Sequence, residues 1–558
     1  MPVLAASALS LDAGALDYTI LGIYFVVVLG IGAVARLSIK TDLDFFLSGR
    51  SLPAWITGLA FVAANLGALE ILGMAANGAQ YGVATVHFYW IGAVPAMVFL
   101  GIVMMPFYYG AKVRSVPDYL RLRFNNPTHA LNAATFAVAT VLIAGVNLFA
   151  LALIVNLMRG WSLSVAILVA AAIVLVYITL GGLTSAIYNE VLQFFIIVAS
   201  LLPLTLVALH DVGGWSGLQD KIKASPLKEG GLHAWQGLGI GNVTNPIDAN
   251  WLGIVLGLGF VLSFGYWTTN FAEVQRALSA KNMSAARRTP LIGAYPKIFI
   301  PALTIIPGLV ALVTVKGLGG SNEDLQYNNA IPLLIGHYLP EGMLGLAVTG
   351  LLAAFMAGVA ANVTSFNTVV TYDLWQSYVV KERDPKYYVR TGRLVTVGGL
   401  LISVATAFIA KGYSNIMNYV QLLFSYFNAP LFATFIIAMF WRRTTPWAGF
   451  WGLIAGFLGA FVTHELASSG TVNLGSELAA SFWGAVVAFA ADAVVTVVVS
   501  LITQPKPEDE LRGLVWGLPR KDAEPERMTE GDDAWYRSVW LLGGVALGLV
   551  LILNIIFI

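Results

Sequence analysis

The 558-residue chain contains no cysteine, and only 11% of its residues are Asp, Glu, Lys or Arg. The first absence excludes disulfides, thiolate metal sites and cysteine nucleophiles. The second excludes a water-soluble protein of this size, whose surface would need far more charge. Net charge is +1, and no basic patch interleaved with aromatics occurs, so nucleic acid is not an expected partner. There is no G-x-x-x-x-G-K-[ST] loop, which argues against an ATP-driven pump. No nucleophile–base or metal constellation stands out, so the chain does not read as an enzyme. The first twenty residues lack a positive n-region, and a cleaved signal peptide is not expected.

What is present is apolar: 58% of the residues are hydrophobic. A spanning helix needs about 20 mostly apolar residues. Fourteen such segments fit the chain, beginning near Leu16, Ala54, Ala84, Ala130, Ser162, Ser185, Trp251, Leu291, Gly342, Arg393, Asn415, Ala448, Leu478 and Val539. The alternating, turn-rich strands of a barrel are missing. The expected fold class is therefore all-α integral membrane, with about 14 transmembrane helices and the lipid bilayer as solvent. Basic residues collect on the cytoplasmic side of such proteins. Of the 31 Lys and Arg, Arg159, Lys221, Lys223, Lys228, Lys316 and Lys411 fall on one side, Lys297 falls at membrane depth, and the rest fall on the other side. That asymmetry puts both termini outside in a multi-pass protein of the plasma (inner) membrane. The outer loop 209–249 is long and Gly-rich. Its Gly237-Leu238-Gly239-Ile240-Gly241 has no helix behind it and reads as a loop rather than a phosphate cradle. The inner stretch 504–537 is rich in proline and charge and reads as a solvated linker.

Two spans carry breaks. The second reads Asn65-Leu66-Gly67-Ala68-Leu69-Glu70, and the seventh reads Leu262-Ser263-Phe264-Gly265-Tyr266-Trp267-Thr268-Thr269-Asn270. They lie five spans apart. A five-span unit used twice is inverted in its second copy, the plan of many secondary transporters, whose unwound backbone near the midplane faces solute and ions. The alternative is that Gly67 and Gly265 only let helices pack closely. Charge at membrane depth is costly and marks polar interiors. Glu70 follows the first break, and Lys297 sits between Pro296 and Pro301. The two are either solute ligands or a clamp that pairs with itself.

Short stretches spread over most of the chain carry a resemblance. They are Asp44-Phe45-Phe46-Leu47-Ser48-Gly49-Arg50-Ser51-Leu52-Pro53, Ala63-Ala64-Asn65, Gly181-Gly182-Leu183, Gln275-Arg276 with Ala280-Lys281, and Phe440-Trp441-Arg442-Arg443-Thr444-Thr445. In order and spacing the chain resembles the sodium/solute symporter family, especially its sodium/galactose and sodium/glucose cotransporters. The resemblance implies a LeuT-like 5+5 inverted-repeat core with flanking helices. The corresponding division is a leading helix and inner loop at 1–50, a first repeat at 51–208, the outer loop at 209–249, a second repeat at 250–443, and accessory helices at 444–558.

The resemblance also implies roles. The family's sugar-binding Asn and Gln positions hold Ser263 and Glu70 here, and its paired Tyr-Glu becomes Phe88-Tyr89. Retained in kind are the gating aromatic Tyr266, and Asn270, Lys297 and Gln421. Changed partners in a site that reads hydroxyls imply a changed ligand. The family's sodium lies between carbonyls that fall at Ala63, Leu66 and Ala354 and two hydroxyl side chains. Those hydroxyl positions hold Ala357 and Gly358. The family's Asp on the fifth core helix is Glu190.

The reading is a secondary active transporter performing cation-coupled symport, sodium being the family's ion, of a small polar, sugar-like solute by alternating access. Expected solute contacts are Glu70, Tyr89, Ser263, Asn270, Lys297 and Gln421, with Tyr266 as the gate. Expected ion positions are Ala63, Leu66, Ala354 and Glu190. A proton-coupled or uncoupled transporter with a degenerate sodium site, using Glu70 or Glu190 as proton carrier, is the alternative. A membrane solute sensor is a third reading, against which counts the lack of a signalling domain after Ile558. No covalent cofactor is expected, and the solute's identity and the oligomeric state are left open.

Overall fold

The computed structural model of the protein describes residues 11, 13–38, 41–320, 322, 325–519 and 534–558. Lys40 and the Arg520, Lys521 and Arg527 of the inner linker lie outside the described residues. The helices, in chain order, are α1 (Ala15–Ser38), α2 (Ala54–Asn65), α3 (Leu69–Tyr81), α4 (Val83–Gly110), α5 (Asn126–Arg159) and α6 (Leu163–Asp211). After the outer loop come α7 (Gly253–Thr269), α8 (Phe271–Leu278), α9 (Met283–Thr314), α10 (Met343–Val379), α11 (Pro385–Ala410) and α12 (Ile416–Phe440). The flanking helices are α13 (Ala448–Ser468), α14 (Glu477–Ile502) and α15 (Val539–Ile556).

Among the described residues, eleven helices are long and apolar enough to cross a membrane, and the bent pairs α2/α3 and α7/α8 raise the number to thirteen. The fifth expected span, from Ser162, is not a separate helix: α6 is assigned continuously over 49 residues. Within it Leu183–Asp211 has the length of a crossing, whereas Leu163–Val176 is apolar but shorter. The glycine-rich stretch at Gly237 is neither loop nor cradle. It forms a two-stranded hairpin, β1 (Leu238–Gly239) with β2 (Asn242–Val243), turning at Gly241.

Local chemistry sets the helix ends. Asn125, Asn282, Asn415 and Ser476 each accept a backbone N–H from the first turn of α5, α9, α12 and α14, at 2.8–3.1 Å. Such caps satisfy donors that have no partner within the helix. Gly160 ends α5 in the left-handed conformation. At the other end of the bundle, buried Arg123 gives hydrogen bonds to the carbonyls of Ala438, Trp441 and Thr444, at 2.9–3.0 Å. It thereby satisfies the terminal carbonyls of α12 and the turn that follows, and its charge complements the negative end of the helix dipole.

The core is built by α10 packed between α5 and α6, and by α9 packed along α2 and α3. The α3–α9 contact is backbone to backbone. A Cβ on Gly308 would fall on the carbonyl of Ala75, and one on Gly78 would lie 2.6 Å from the carbonyl of Ile305. This approach is what brings Lys297 of α9 level with Glu70. On the periphery Leu394, Leu401, Val494, Val498, Leu551 and Ile555 project outward. In water these would form a large apolar patch, whereas in hydrocarbon they are matched to their solvent. The chain is an integral, multi-pass membrane protein.

The connecting segments gather in two sets. Arg50 bonds the Val113 carbonyl at 2.8 Å, Tyr109 bonds Ala280 at 2.8 Å and Lys506 bonds Leu122 at 2.9 Å. These are all segments assigned to the inside. At the other end Trp235 bonds Asn554 at 3.0 Å, Ser476 bonds Ile247 at 2.5 Å and Tyr338 bonds Asp211 at 2.9 Å. An exposed residue at each end of the bundle tests the sidedness. In intact cells Ala224→Cys should react with an impermeant maleimide and Lys386→Cys should not. Labelling in the reverse pattern would invert the orientation.

Candidate solute site between two broken helices

Backbone in an apolar medium must satisfy its own hydrogen bonds, so irregular backbone survives at membrane depth only where protein or a polar cavity supports it. Both breaks obey this. At the first, Leu66 has φ −72° and ψ 41°, outside the helical region, and α3 leaves α2 at 60°. At the second, Asn270 has φ −71° and ψ 111°, and α8 leaves α7 at 49°. The second break therefore falls at the end of the stretch singled out by sequence. Gly265 lies inside a helix, and a Cβ there would sit 3.0 Å from the Asn428 carbonyl. Its role is close packing.

A continuous line of polar groups joins the two breaks. The Lys297 ammonium lies 2.7 Å from Glu70 Oε1. It also donates to Asn65 Oδ1, on the last residue of α2. Asn65 Nδ2 donates to the Tyr266 hydroxyl at 2.9 Å, and that hydroxyl donates to Glu273 Oε1 at 2.8 Å. On the far side Tyr89 donates to Glu70 Oε2 at 2.7 Å and lies 3.4 Å from Thr304 Oγ1. The ammonium sits 4.9 Å from the Trp267 ring centroid and 5.2 Å from that of Tyr89, where ring faces attract a desolvated cation. The Lys297 side chain is 1% exposed and that of Glu70 is 12% exposed. Glu70 alone of the pair thus reaches open space.

That space is a cavity of about 490 Å³, counted to its open mouth. Met74, Phe88, Leu258 and Met417 line it toward the end of the bundle that carries Tyr81, Gly253 and Ile416. Asn65, Tyr266, Trp267 and Phe424 form its opposite wall, with the Tyr266 and Phe424 rings 4.8 Å apart. Glu70, Ser263 and Gln421 supply polar groups among these apolar walls.

Of the residues expected to touch solute, Glu70, Ser263 and Gln421 line the cavity together with the gate residue Tyr266. The Ser263 hydroxyl also donates to the Leu258 carbonyl at 2.8 Å. Lys297 and Tyr89 stand one layer back and hold Glu70. Asn270 is not in the cavity: its side chain accepts the Ala272 N–H at 2.9 Å and caps α8. Asn65, Glu273 and Thr304 belong to the polar line but were given no role from sequence. Asn65 stood inside one of the short stretches that carried the resemblance, which was the available signal.

At the expected ion positions, Ala63, Leu66, Ala354, Ala357 and Gly358 are buried where α2 meets α10. The Ala63 carbonyl already accepts the Leu66 N–H at 3.0 Å. Glu190 departs from its expected role. Both its oxygens are taken by the buried Arg276 guanidinium, Oε2 from Nε at 3.1 Å and Oε1 from Nη2. This bidentate pair ties α6 to α8, the strongest geometry such a pair has. A carboxylate so engaged is a helix tie, not an ion ligand at the break.

A bundle of spanning helices with two broken helices facing a polar cavity defines a solute carrier. The model of the sodium:solute symporter family matches residues 45–456, and the chain belongs to that family. Sodium/glucose cotransporter 1 of Mus musculus is 30% identical over 565 residues, covering 93% of this chain and 83% of its own. Sodium/glucose cotransporter 4 of Homo sapiens is 29% identical over 548 residues, covering 92% and 80%. The solved structure described as the substrate-bound outward-open state of a Na+-coupled sialic acid symporter superposes with a TM-score of 0.74 at 17% identity, covering 88% of this chain and 99% of that one. The fold is thus that of the LeuT-type transporters, and the protein is a transporter rather than an enzyme.

Removing one member of a buried ion pair leaves an uncompensated charge and costs about 3–5 kcal/mol, whereas replacing both by apolar or neutral groups is often neutral. Lys297→Ala should therefore lower the thermal midpoint by several degrees and reduce solute uptake at least tenfold. Glu70→Gln with Lys297→Met should restore the midpoint but not uptake. Full uptake by the double variant would reduce the pair to a structural clamp.

Proposed function

We propose that this protein is a secondary active transporter that carries a small polar, sugar-like solute across the plasma (inner) membrane by alternating access, coupled to a cation. The observation that carries the reading is the cavity between two broken helices, with Glu70 exposed to it and held by Lys297 and Tyr89. Glu70, Ser263 and Gln421 bind the solute, and Lys297 and Tyr89 set the orientation and charge of Glu70. Tyr266 closes the wall against Phe424. Its hydroxyl bridges Asn65 of the first break and Glu273 beyond the second, so solute that displaces Tyr266 loosens both breaks at once. Solute affinity thereby depends on the arrangement of the two half-helices, which is the requirement for coupling.

The two breaks five spans apart support a 5+5 inverted repeat, residues 51–208 and 250–443, flanked by α1 and by the helices of 444–558. Fourteen crossings with both termini outside follow if Leu163–Val176 and Leu183–Asp211 are two crossings of opposite direction that meet between Val176 and Leu183. Three bonds favour that reversal. Leu11 N–H bonds the Leu157 carbonyl at 3.0 Å just before α6, Asp211 at its end bonds Tyr338, and Thr184 between them bonds Ser48 at 3.1 Å. Leu157 and Asp211 belong to the outer set, and Ser48 belongs to the inner one.

Sodium is the cation that the family's description and the relatives' names supply. Proton-coupled or uncoupled transport is favoured by one observation, the side chains of Ala357 and Gly358, which offer no oxygen where a hard cation needs one. The test is uptake by proteoliposomes under imposed sodium or proton gradients, after a thermal-shift screen of sugars, polyols, amino acids and carboxylates selects the solute. The transport reading expects saturable, gradient-dependent accumulation that Glu70→Gln reduces at least tenfold. Downhill flux that does not saturate would make the protein a channel.

A further inference from the structure

The first break leaves Ala68 with a backbone N–H that no helix satisfies. Its partner is a side chain that sequence reading passed over. Asn147, in the middle of the apolar α5, accepts that N–H through Oδ1 at 2.8 Å. Its Nδ2 donates to the Ile143 carbonyl one turn back at 3.1 Å, which fixes the orientation of the amide. Asn147 is 2% exposed. The amide fills the space between the break and α10. A Cβ on Gly67 would lie 3.3 Å from Asn147 Cγ, and one on Gly358 would lie 2.6 Å from it, each with Oδ1 closer still. Gly67 and Gly358 are therefore the two faces of a slot occupied by one carboxamide. The ion expected between Ala63, Leu66 and Ala354 belongs in this wedge, and the residues present do not fit it. The two side chains that should supply oxygens have none, and the one side-chain oxygen that stands between Gly67 and Gly358 is already hydrogen-bonded to Ala68.

We propose that the Asn147 carboxamide takes the place of a sodium ion at the first break, so that α2, α3 and α10 hold their arrangement without sodium. An ion at this position would tie the half-helices to α10 only while bound, and so would couple solute binding to the sodium gradient. The Asn147 amide, carried on α5, hydrogen-bonds the break at Ala68 and packs against Gly358 of α10, and so holds the same wedge without an ion. Solute binding at Glu70 then has no sodium dependence arising from the break. Asn147 is a positioning residue: it touches neither solute nor cation and acts through Ala68. The consequence for transport rests on the reading above, but the geometry does not.

The slot also changes what restoring the missing hydroxyls requires. Gly358→Ser alone drives its Cβ into Asn147, so Ala357→Ser with Gly358→Ser should give little folded protein. Combined with Asn147→Ala, the slot opens and both hydroxyls face it. A second variant, Asn147→Asp, keeps the acceptor for Ala68 and adds a charge that sodium would neutralise.

The natural absence of cysteine allows a direct reading. Phe88→Cys in the cavity wall is alkylated with a maleimide in proteoliposomes, in sodium chloride or in choline chloride at equal ionic strength. In the otherwise unmodified protein the two rates should agree within twofold. The triple variant, or Asn147→Asp, should show at least a threefold difference. A threefold sodium effect in the unmodified background would overturn the proposal, and its loss in Asn147→Ala would make the amide a sodium ligand instead. Folded variants that both remain indifferent to sodium would also overturn it. If the variants do not fold, the comparison in the unmodified background decides. The transport reading fails separately, if no solute in the screen slows alkylation of the Phe88→Cys protein.

Discussion

The structure depends on a single constraint: two helices are broken inside a hydrophobic bundle, and every polar group that the breaks release must find a partner within the protein. The freed N–H groups of Ala68 and Ala272 go to the side chains of Asn147 and Asn270, and the side-chain line Glu273–Tyr266–Asn65–Lys297–Glu70–Tyr89, with two members beside each break, ties both breaks to α4 and α9. It is charged at its centre, which makes it costly to leave incomplete and gives it a reason to be buried as a unit. The apolar packing is arranged around it. Gly78 and Gly308 let α3 and α9 meet at backbone distance, and that contact brings the ammonium to the carboxylate.

The same constraint accounts for function. A network whose central members Tyr266, Asn65, Lys297 and Glu70 each have two partners has few arrangements, so a solute that bound Glu70, as proposed, would change the partners of Lys297, then of Asn65, then of Tyr266. The aromatic wall of Tyr266 and Phe424 is hinged to this chain by one hydroxyl. Outside the line, ties such as Glu190 with Arg276 hold the half-helix α8 to α6 at the inner end. Asp492 with Thr434 and Thr496 holds flanking α14 to α12. The first tie anchors one half of the second broken helix, and the second joins a flanking helix to α12.

Lys297 and Glu70 were legible from sequence because charge at membrane depth is rare enough to stand out, and their pairing was one of the two roles considered for them. The membrane class followed from composition, and most span positions followed from hydropathy. The break at Asn65 was visible as Asn-Leu-Gly-Ala. The second break lies at the far end of the stretch Leu262–Asn270, and Gly265 within it serves close packing, the alternative weighed for it, because a glycine reads the same whether it bends a helix or admits a neighbour. Asn270 was read as a ligand, whereas it is a cap, and a cap is recognisable only once the helix start is known. Glu190 stands near a helix end, where a carboxylate often pairs with a nearby Lys or Arg, and it has such a partner; that the partner is Arg276, 86 residues away, no local pattern shows. Asn147 was invisible for a related reason: a lone amide in an apolar helix shows its importance only through what lies opposite, here a broken backbone and two glycines.

The most direct test is a structure of the protein with its transported solute bound. Solute density is expected in contact with Glu70, Ser263 and Gln421, with Tyr266 against one side and the Lys297 ammonium shifted from its present contact with Glu70. Density elsewhere in the bundle, with the Glu70–Lys297 pair unchanged and the cavity between the breaks empty, would contradict a solute site built on the two broken helices.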